Sequence, residues 1–515
     1  MSNNLINPIE PLNSQELKEH YDNMVRKPTF SSYAIKNYIK TRFTSLIVTK
    51  ESLAEYSYGE IFNPFQNLAL LNARQWNFFL VGLCGWTWDA FDYFAVSLNA
   101  SKIATSLDVT VKDVTWGITL VLMLRSVGSI LFGLWGDRYG RKWPYIANMV
   151  LLIVLQIGLG FIKTYKQFLA VRALFGIAMG GMFGNCAACA LDDCPKKARG
   201  IVSGLFQEGY ALGYLLVVVF QRAITDNSSH TWRALFWFSA GPPVIFITWR
   251  FFLPETDAFV KQQERMNASD KIGGFVVDGK KAVKQYWLIL IYLVLLMSGF
   301  NFMSHGSQDL YPTLLTEQLH YGDDRSTVTN SVANLGAIFG GAIFGHFSTF
   351  IGRRLSILIA VVLGGAMIYP WAFLTNSGIN AGAFFLQCGV QGAWGVVPIH
   401  LSELSPPGYR SLVAGLAYQL GNLCSSASST IEATIGERFP IEGEPGIYNY
   451  SKVMAIFMGC VFGYMLIITF VGPEYKGADL DVSRDDVIVV GDENVESFDS
   501  TEKQMQSATH IETKV

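Results

Sequence analysis

The chain has 515 residues, of which 50% are hydrophobic and 16% charged, and its net charge is −2. A soluble protein carries about 25% charged residues, and recurrent apolar runs of roughly 20 residues match a ~30 Å hydrocarbon core, so a soluble fold is excluded and the lipid bilayer is a partner. The near-neutral balance gives nucleic acid nothing to hold, and no Walker loop, zinc spacing or Gly-x-Ser-x-Gly elbow occurs, so no enzyme site, metal or cofactor is expected.

Residues 1–73 are polar, lack the short apolar core of a signal peptide and read as a cytosolic tail. Twelve helical spans are predicted at 75–98, 114–135, 143–162, 166–190, 200–221, 232–253, 285–315, 327–349, 354–374, 378–402, 411–432 and 450–471. The fold class is therefore an all-α membrane protein with six-helix bundles at 74–253 and 285–472, a cytosolic central loop at 254–284 and a cytosolic tail at 473–515. Orientation follows from short loops rich in Lys and Arg. Arg138, Arg141 and Lys142 follow the second span, Lys196, Lys197 and Arg199 the fourth, and Arg353 and Arg354 the eighth. Lys261, Arg265, Lys271, Lys280, Lys281 and Lys284 fill the central loop, so all of these lie on the cytosolic side with both termini. The sequons at Asn227 and Asn449 fall on the opposite side, where glycosylation is possible, although Asn449 sits close to the twelfth span.

Ionisable groups inside a span are costly and mark a solute path or a structural pair. The first span carries Asp89 and Asp92, candidates for proton carrier, gate or ion-pair partner. Arg125 lies in mid-span in the second; its planar fork can hold a carboxylate by two parallel hydrogen bonds, and the alternative is an ion pair with Asp89, Asp92 or Glu208. Cys186 and Cys189 have CxxC spacing within a span, where packing is the better reading than zinc or redox chemistry. In the fifth span Phe206 and Gln207 are candidate selectivity positions; Glu208 reads as a partner of Arg172 or Arg125, with proton transfer the alternative. The tryptophans Trp86, Trp88, Trp371 and Trp394 read as packing and interface anchors rather than ligand platforms.

The seventh span runs from an apolar stretch, Tyr286 to Phe300, into Asn301, Ser304, His305, Gln308 and Asp309, which share one helix face. His305 and Asp309 are four residues apart and face each other, and either could carry a proton; the alternative is that the stripe bonds neighbouring helices. On the eleventh span Gln419 and Asn422 share a face and offer neutral amides that donate and accept.

The halves repeat. Gly133-x-x-x-Asp137-Arg138-x-Gly140-Arg141-Lys142 recurs as Gly345 to Arg354, and Pro195-x-x-x-Arg199-x-x-x-x-Gly204 recurs as Pro406-x-x-x-Arg410-x-x-x-x-Gly415 at nearly the same offset. That offset aligns Asp89 with Asn301 and Asp92 with Ser304. The first loop resembles the signature loop of the major facilitator superfamily, and Arg172-x-x-x-Gly176-x-x-x-Gly180, Leu253-Pro254-Glu255-Thr256 and Gly472-Pro473-Glu474 resemble its other motifs. This resemblance implies a substrate site between the halves near the midplane, reached alternately from each side. Asp137, Arg138, Arg141, Arg353 and Arg354 would gate the cytosolic side. The charged latch is confined to the first half, because Thr349 replaces the aspartate in the second.

The string from Asn301 to Thr313 matches every defined position of the fungal Jen family signature, Asn-x-x-(Ser/Thr)-His-x-x-Gln-Asp-x-x-x-Thr. The resemblance implies a plasma-membrane symporter of protons and small carboxylates such as lactate, pyruvate, succinate or malate. It also implies functional roles for the seventh-span stripe and substrate recognition by Gln419 and Asn422. Gln207 leans the expectation toward dicarboxylates. The tail sites Ser497, Ser500, Thr501, Ser507 and Thr509 suggest control by phosphorylation or by the ubiquitylation and endocytic machinery, and the alternative is an inert solvated end. The rivals are a sugar or polyol carrier of the same fold and a non-transporting nutrient sensor.

Overall fold

The computed structural model describes residues 32–476 except 47, 49–52, 55, 226, 261–262, 264–271, 407–408, 437 and 442–447. The C-terminal tail sites and Lys261, Arg265 and Lys271 thus lie outside the described residues. In chain order the twelve spans are Ala73–Leu98, Val111–Tyr139, Lys142–Gly160, Tyr165–Gly180 continued by Met182–Leu191, Arg199–Gln207 with Gly209–Phe220, Trp232–Ser239 with Pro242–Phe252, Ile272–Gln308, Asp323–Ile351, Arg353–Ala366 with Ile368–Phe373, Gly378–Leu404, Arg410–Ser425 with Ser428–Gly436, and Tyr450–Val471.

Among the described residues, eight helices are long and apolar enough to cross a membrane. The first, sixth, tenth and eleventh spans fall short for physical reasons. The sixth and eleventh are interrupted at 240–241 and 426–427, a longer break than in the other two-piece spans, which leaves neither piece long enough. The first and tenth carry polar side chains such as Asp89, Asp92, Gln387, Gln391, His400 and Glu403, all buried inside the protein. The seventh helix starts at Ile272, earlier than its apolar run; the stretch long and apolar enough for a membrane starts at Tyr286. Helical hydrogen bonding does not stop where hydrophobicity does, so the lysine-bearing turns extend the rod.

Several starts are fixed by reciprocal caps. Asn72 with Gln75, Thr110 with Asp113, and Thr164 with Gln167 each satisfy the free N–H groups of a first turn. The repeated loops end on Gly140 and Gly352, with φ of 99° and 98°, a left-handed turn that favours glycine. The sequence repeat is thus a repeat of backbone geometry.

The halves meet along the second and eleventh spans and along the fifth and eighth. Near the basic loops these seams are nearly free of side chains. Gly200 and Gly204 lie against Gly345 and Gly341, and Gly133 lies against Leu412, with no room for a β-carbon. The Ser203 hydroxyl donates to the Gly395 carbonyl at 2.9 Å and accepts from the Ile399 N–H at 3.1 Å. Main chain approaches main chain here, so this end is closed.

Some of the N-terminal polar segment is folded as a strap over the same end. Helix Ser32–Thr44 rests on the end of the twelfth span: Tyr38 donates to the Val471 carbonyl at 2.8 Å, and Phe43 packs on Phe470. The strap then bridges the halves. His346 of the eighth span bonds the Ile61 carbonyl at 2.9 Å, and Lys197, before the fifth span, meets Glu60 at 2.7 Å.

Candidate functional site

Spans of both halves bring polar groups toward one another. Arg125 is buried, with Nη2 3.3 Å from Asp89 Oδ2 and the guanidinium 5.6 Å from the centre of the Tyr93 ring. Its Nε and Asp89 Oδ1 have no hydrogen-bond partner among the described residues. Of the expected partners for Arg125, Asp89 is the one it bonds. A single arm of the fork is therefore engaged, leaving capacity for an anion.

Asp92 lies within the first half, facing Ser239, Gln156 and Arg172. Arg172 is fully buried, lies 4.6 Å over the Phe175 ring and has no hydrogen bond on its three nitrogens among the described residues. Glu208 joins neither arginine. Its carboxylate crosses the seam to lie against Gly341 of the eighth span, and its Oε1 is buried without a hydrogen-bond partner among the described residues. The helical register of Arg172 and Glu208 alone gave no sign of this crossing.

On the seventh span His305 Nδ1 lies 3.2 Å from Asp309 Oδ2. Exposure rises along the stripe away from the basic loops, from 3% for Asn301 to 18% for the His305 side chain and 36% for that of Asp309. The site is therefore shut beneath and reached from the opposite end. One stripe member bonds a neighbouring helix: Gln308 Nε2 donates to Gln387 Oε1 at 3.1 Å. The Asn301 amide donates to the Met297 carbonyl and the Ser304 carbonyl accepts from the Ser307 hydroxyl, both within the seventh helix itself. The Asn422 amide donates to Gln419 Oε1 at 3.4 Å, while Gln419 Nε2 and Gln207 Oε1 are buried and unpartnered among the described residues.

A cluster of aromatic rings joins the polar groups. Phe183 stacks on Tyr418 at 4.3 Å, and Trp86 packs on Phe206, Tyr210 and Tyr418. Trp394 packs on Tyr418 and Phe300. Trp86, Trp88, Trp371 and Trp394 are all buried, as packing residues are; none serves as a membrane-interface anchor. Sequence reasoning passed over Tyr93, Phe183, Tyr210, Tyr418 and Gln387. A tyrosine in an apolar run carries no signal of its own; Gln387, mid-span in a hydrophobic helix, did carry one.

At the basic end Asp137 accepts from the Ser411 and Leu412 N–H groups at 3.1 and 2.8 Å, capping the eleventh span from the other half. Arg141 holds Asp137 at 2.6 Å and Asp192 at 3.3 Å. Thr349, the counterpart of Asp137, leaves its hydroxyl unpartnered among the described residues. The second half has its own internal ion pair, since Arg353 makes two 2.9 Å bonds to Glu403. The Arg353 and Arg354 N–H groups donate to Glu474 at 3.0 and 2.8 Å, and Arg354 also reaches Ser45 of the strap. Arg138 lies 6.0 Å over the Tyr139 ring, on the rim of the loop.

The family profile described as "Sugar (and other) transporter" matches residues 69–485. A carboxylic acid transporter protein homolog of Saccharomyces cerevisiae is 42% identical over 483 residues, covering 90% of this chain and 77% of the relative. A cis,cis-muconate transport protein of Acinetobacter baylyi is 25% identical over 346 residues, 66% of this chain and 81% of the relative. Among solved structures, the major facilitator superfamily proton:xylose symporter XylE superposes with a TM-score of 0.65 at 16% identity, covering 79% of this chain and 98% of that one. The human organic anion transporter MFSD10 gives 0.58 at 13% identity, covering 77% and 99%.

Proposed function

The chain belongs to the sugar (and other) transporter family and, within it, to the fungal Jen group represented by the yeast carboxylic acid transporter homolog, and from that premise we propose that it carries small carboxylates together with a proton across the plasma membrane by alternating access. The observation that carries this reading is the half-used fork of Arg125, a buried guanidinium held by Asp89 through one nitrogen. An incoming carboxylate would take the free arm, with Gln207, Gln419, Asn422 and the Asn301–Asp309 stripe completing its shell and Phe206 shaping the cavity. His305 and Asp309 form the proton pair in this reading, with Asp89, Asp92 and Glu208 the further titratable groups of the path. A proton entering with the anion offsets its charge, and any net positive charge moved inward gains ~2.3 kcal/mol per 100 mV.

The orientation that fits has the basic loops, the strap and both termini in the cytosol, so the closed seam and Asp137 latch form the inner gate. Asn227 is then extracellular. Gln207, buried on the fifth span, has an amide N–H that could donate to a second carboxylate, which supports a lean toward succinate and malate over lactate and pyruvate. The deciding experiment is uptake of labelled lactate and succinate by cells expressing this chain alone, at two external pH values and with a protonophore. Uptake that rises in acid and collapses with the protonophore is expected. Uptake indifferent to both leaves facilitated diffusion, and no uptake leaves a sensor. Competition by xylose or glucose but by no carboxylate would move the chain to the sugar carriers.

A further inference from the structure

Glu432 stands on Ser428–Gly436, the outer segment of the eleventh span, and is fully buried. Neither of its carboxylate oxygens has a hydrogen-bond partner among the described residues. The charge whose field reaches it is Asp309, on the seventh span packed against this segment, with His305 one turn before. The other element packed on it, the twelfth span, brings Tyr450 and Lys452 at its start, and the Lys452 ammonium lies 4.4 Å from the centre of the Phe439 ring. Burying a charged carboxylate with neither donor nor cation is costly, so Glu432 is suited to hold a proton rather than a charge. Asp309, whose charge reaches it, is partly exposed and already in contact with His305.

We propose that Glu432 is the proton store of the outer half of the path, loading Asp309 and through it His305. The proposal rests on the proton-symport reading above. In the step, the proton on a Glu432 carboxyl oxygen moves to the Asp309 carboxylate, and Asp309 passes a proton to His305 Nδ1. Glu432, now anionic, regains a proton from the outer solution by way of Asp309. The net event is one proton taken from outside and delivered to the imidazole, with no bond to carbon made or broken. Glu432 thus acts on the coupled proton and has no role in holding the carboxylate.

The test is the full chain in proteoliposomes, with labelled substrate followed in two assays: accumulation driven by an imposed pH gradient, and exchange against unlabelled substrate at equal pH. Wild-type accumulation that ignores the pH gradient overturns the symport reading and this proposal together. If the wild type accumulates, Glu432→Gln is expected to lose accumulation while exchange continues; accumulation kept at the wild-type level overturns the proton store and leaves the symport reading standing. Should Glu432→Gln lose exchange as well, Glu432→Asp decides. A displaced pH of half-maximal uptake supports the store, and a profile superimposable on the wild type overturns it.

Discussion

Arg125 meets Asp89 through a single nitrogen at 3.3 Å, and both side chains are buried. The pair sits where an anion from solution would compete with Asp89 for the guanidinium. Arg125→Lys replaces a fork with a point charge that cannot serve both partners. Carboxylate uptake should be lost while the protein still reaches the cell surface; wild-type affinity in the lysine variant would rule out two-armed recognition.

Asp89→Asn removes the competitor and leaves the fork intact. Substrate should then bind more tightly and leave more slowly, so that KM and maximal rate fall together, the pattern of a lost ground-state opponent. Initial rates across a substrate series measure this directly. A raised KM would instead make Asp89 a member of the substrate shell.

Gln207 offers a buried acceptor and an amide donor on the fifth span. Gln207→Ser withdraws the reach of that amide, at about 1–3 kcal/mol for a polar group left unpaired. Succinate uptake should therefore weaken more than lactate uptake. Equal losses would assign Gln207 to packing.

Asp137 accepts two N–H bonds from the other half. Asp137→Ala strands both donors, again at about 1–3 kcal/mol each, and frees one side of Arg141. The inner gate should open more readily. A cysteine introduced at Ser411 in a cysteine-poor background should then label faster from the side of the basic loops than with Asp137 present.

The Glu60–Lys197 contact is partly exposed, and such pairs are worth about 0–1 kcal/mol. Lys197, followed by the Ser57 N–H, holds the Glu60 carboxyl below its ordinary range. A depressed folded value means the contribution is complete above the ordinary carboxylate range and disappears only as pH falls through the lowered value. The Lys197 contribution to strap docking, read as the difference in protease protection of residues 56–68 between the wild type and Lys197→Ala, should thus be flat from about pH 5 to 8. Lys197→Glu, which places like charges together, should loosen the strap across that whole range.

Much of the arrangement was legible in the sequence. The stripe from Asn301 to Asp309 could be read because polar residues in an apolar helix have few reasons to be there, and the repeated loop because Gly140 and Gly352 enforce one turn geometry. Pairings across spans were less accessible. Arg353 with Glu403, Glu208 against Gly341 and Gln308 with Gln387 depend on which helices become neighbours, which periodicity within one helix does not encode. The strap was hidden for a different reason. Its helices are short, and they gain their place from docking, through Tyr38, Phe43, His346 and Lys197, rather than from a long apolar run.

The bare backbone contact of Gly200 and Gly204 with Gly345 and Gly341 offers a practical handle. A β-carbon at Gly204 has no space to occupy while the ends are shut, so an alanine or valine there acts as a wedge that only the open arrangement tolerates. Such a variant would hold the carrier for imaging in the state that the present arrangement excludes. It would also supply a fixed target for raising antibody fragments that discriminate one side of the transport cycle from the other.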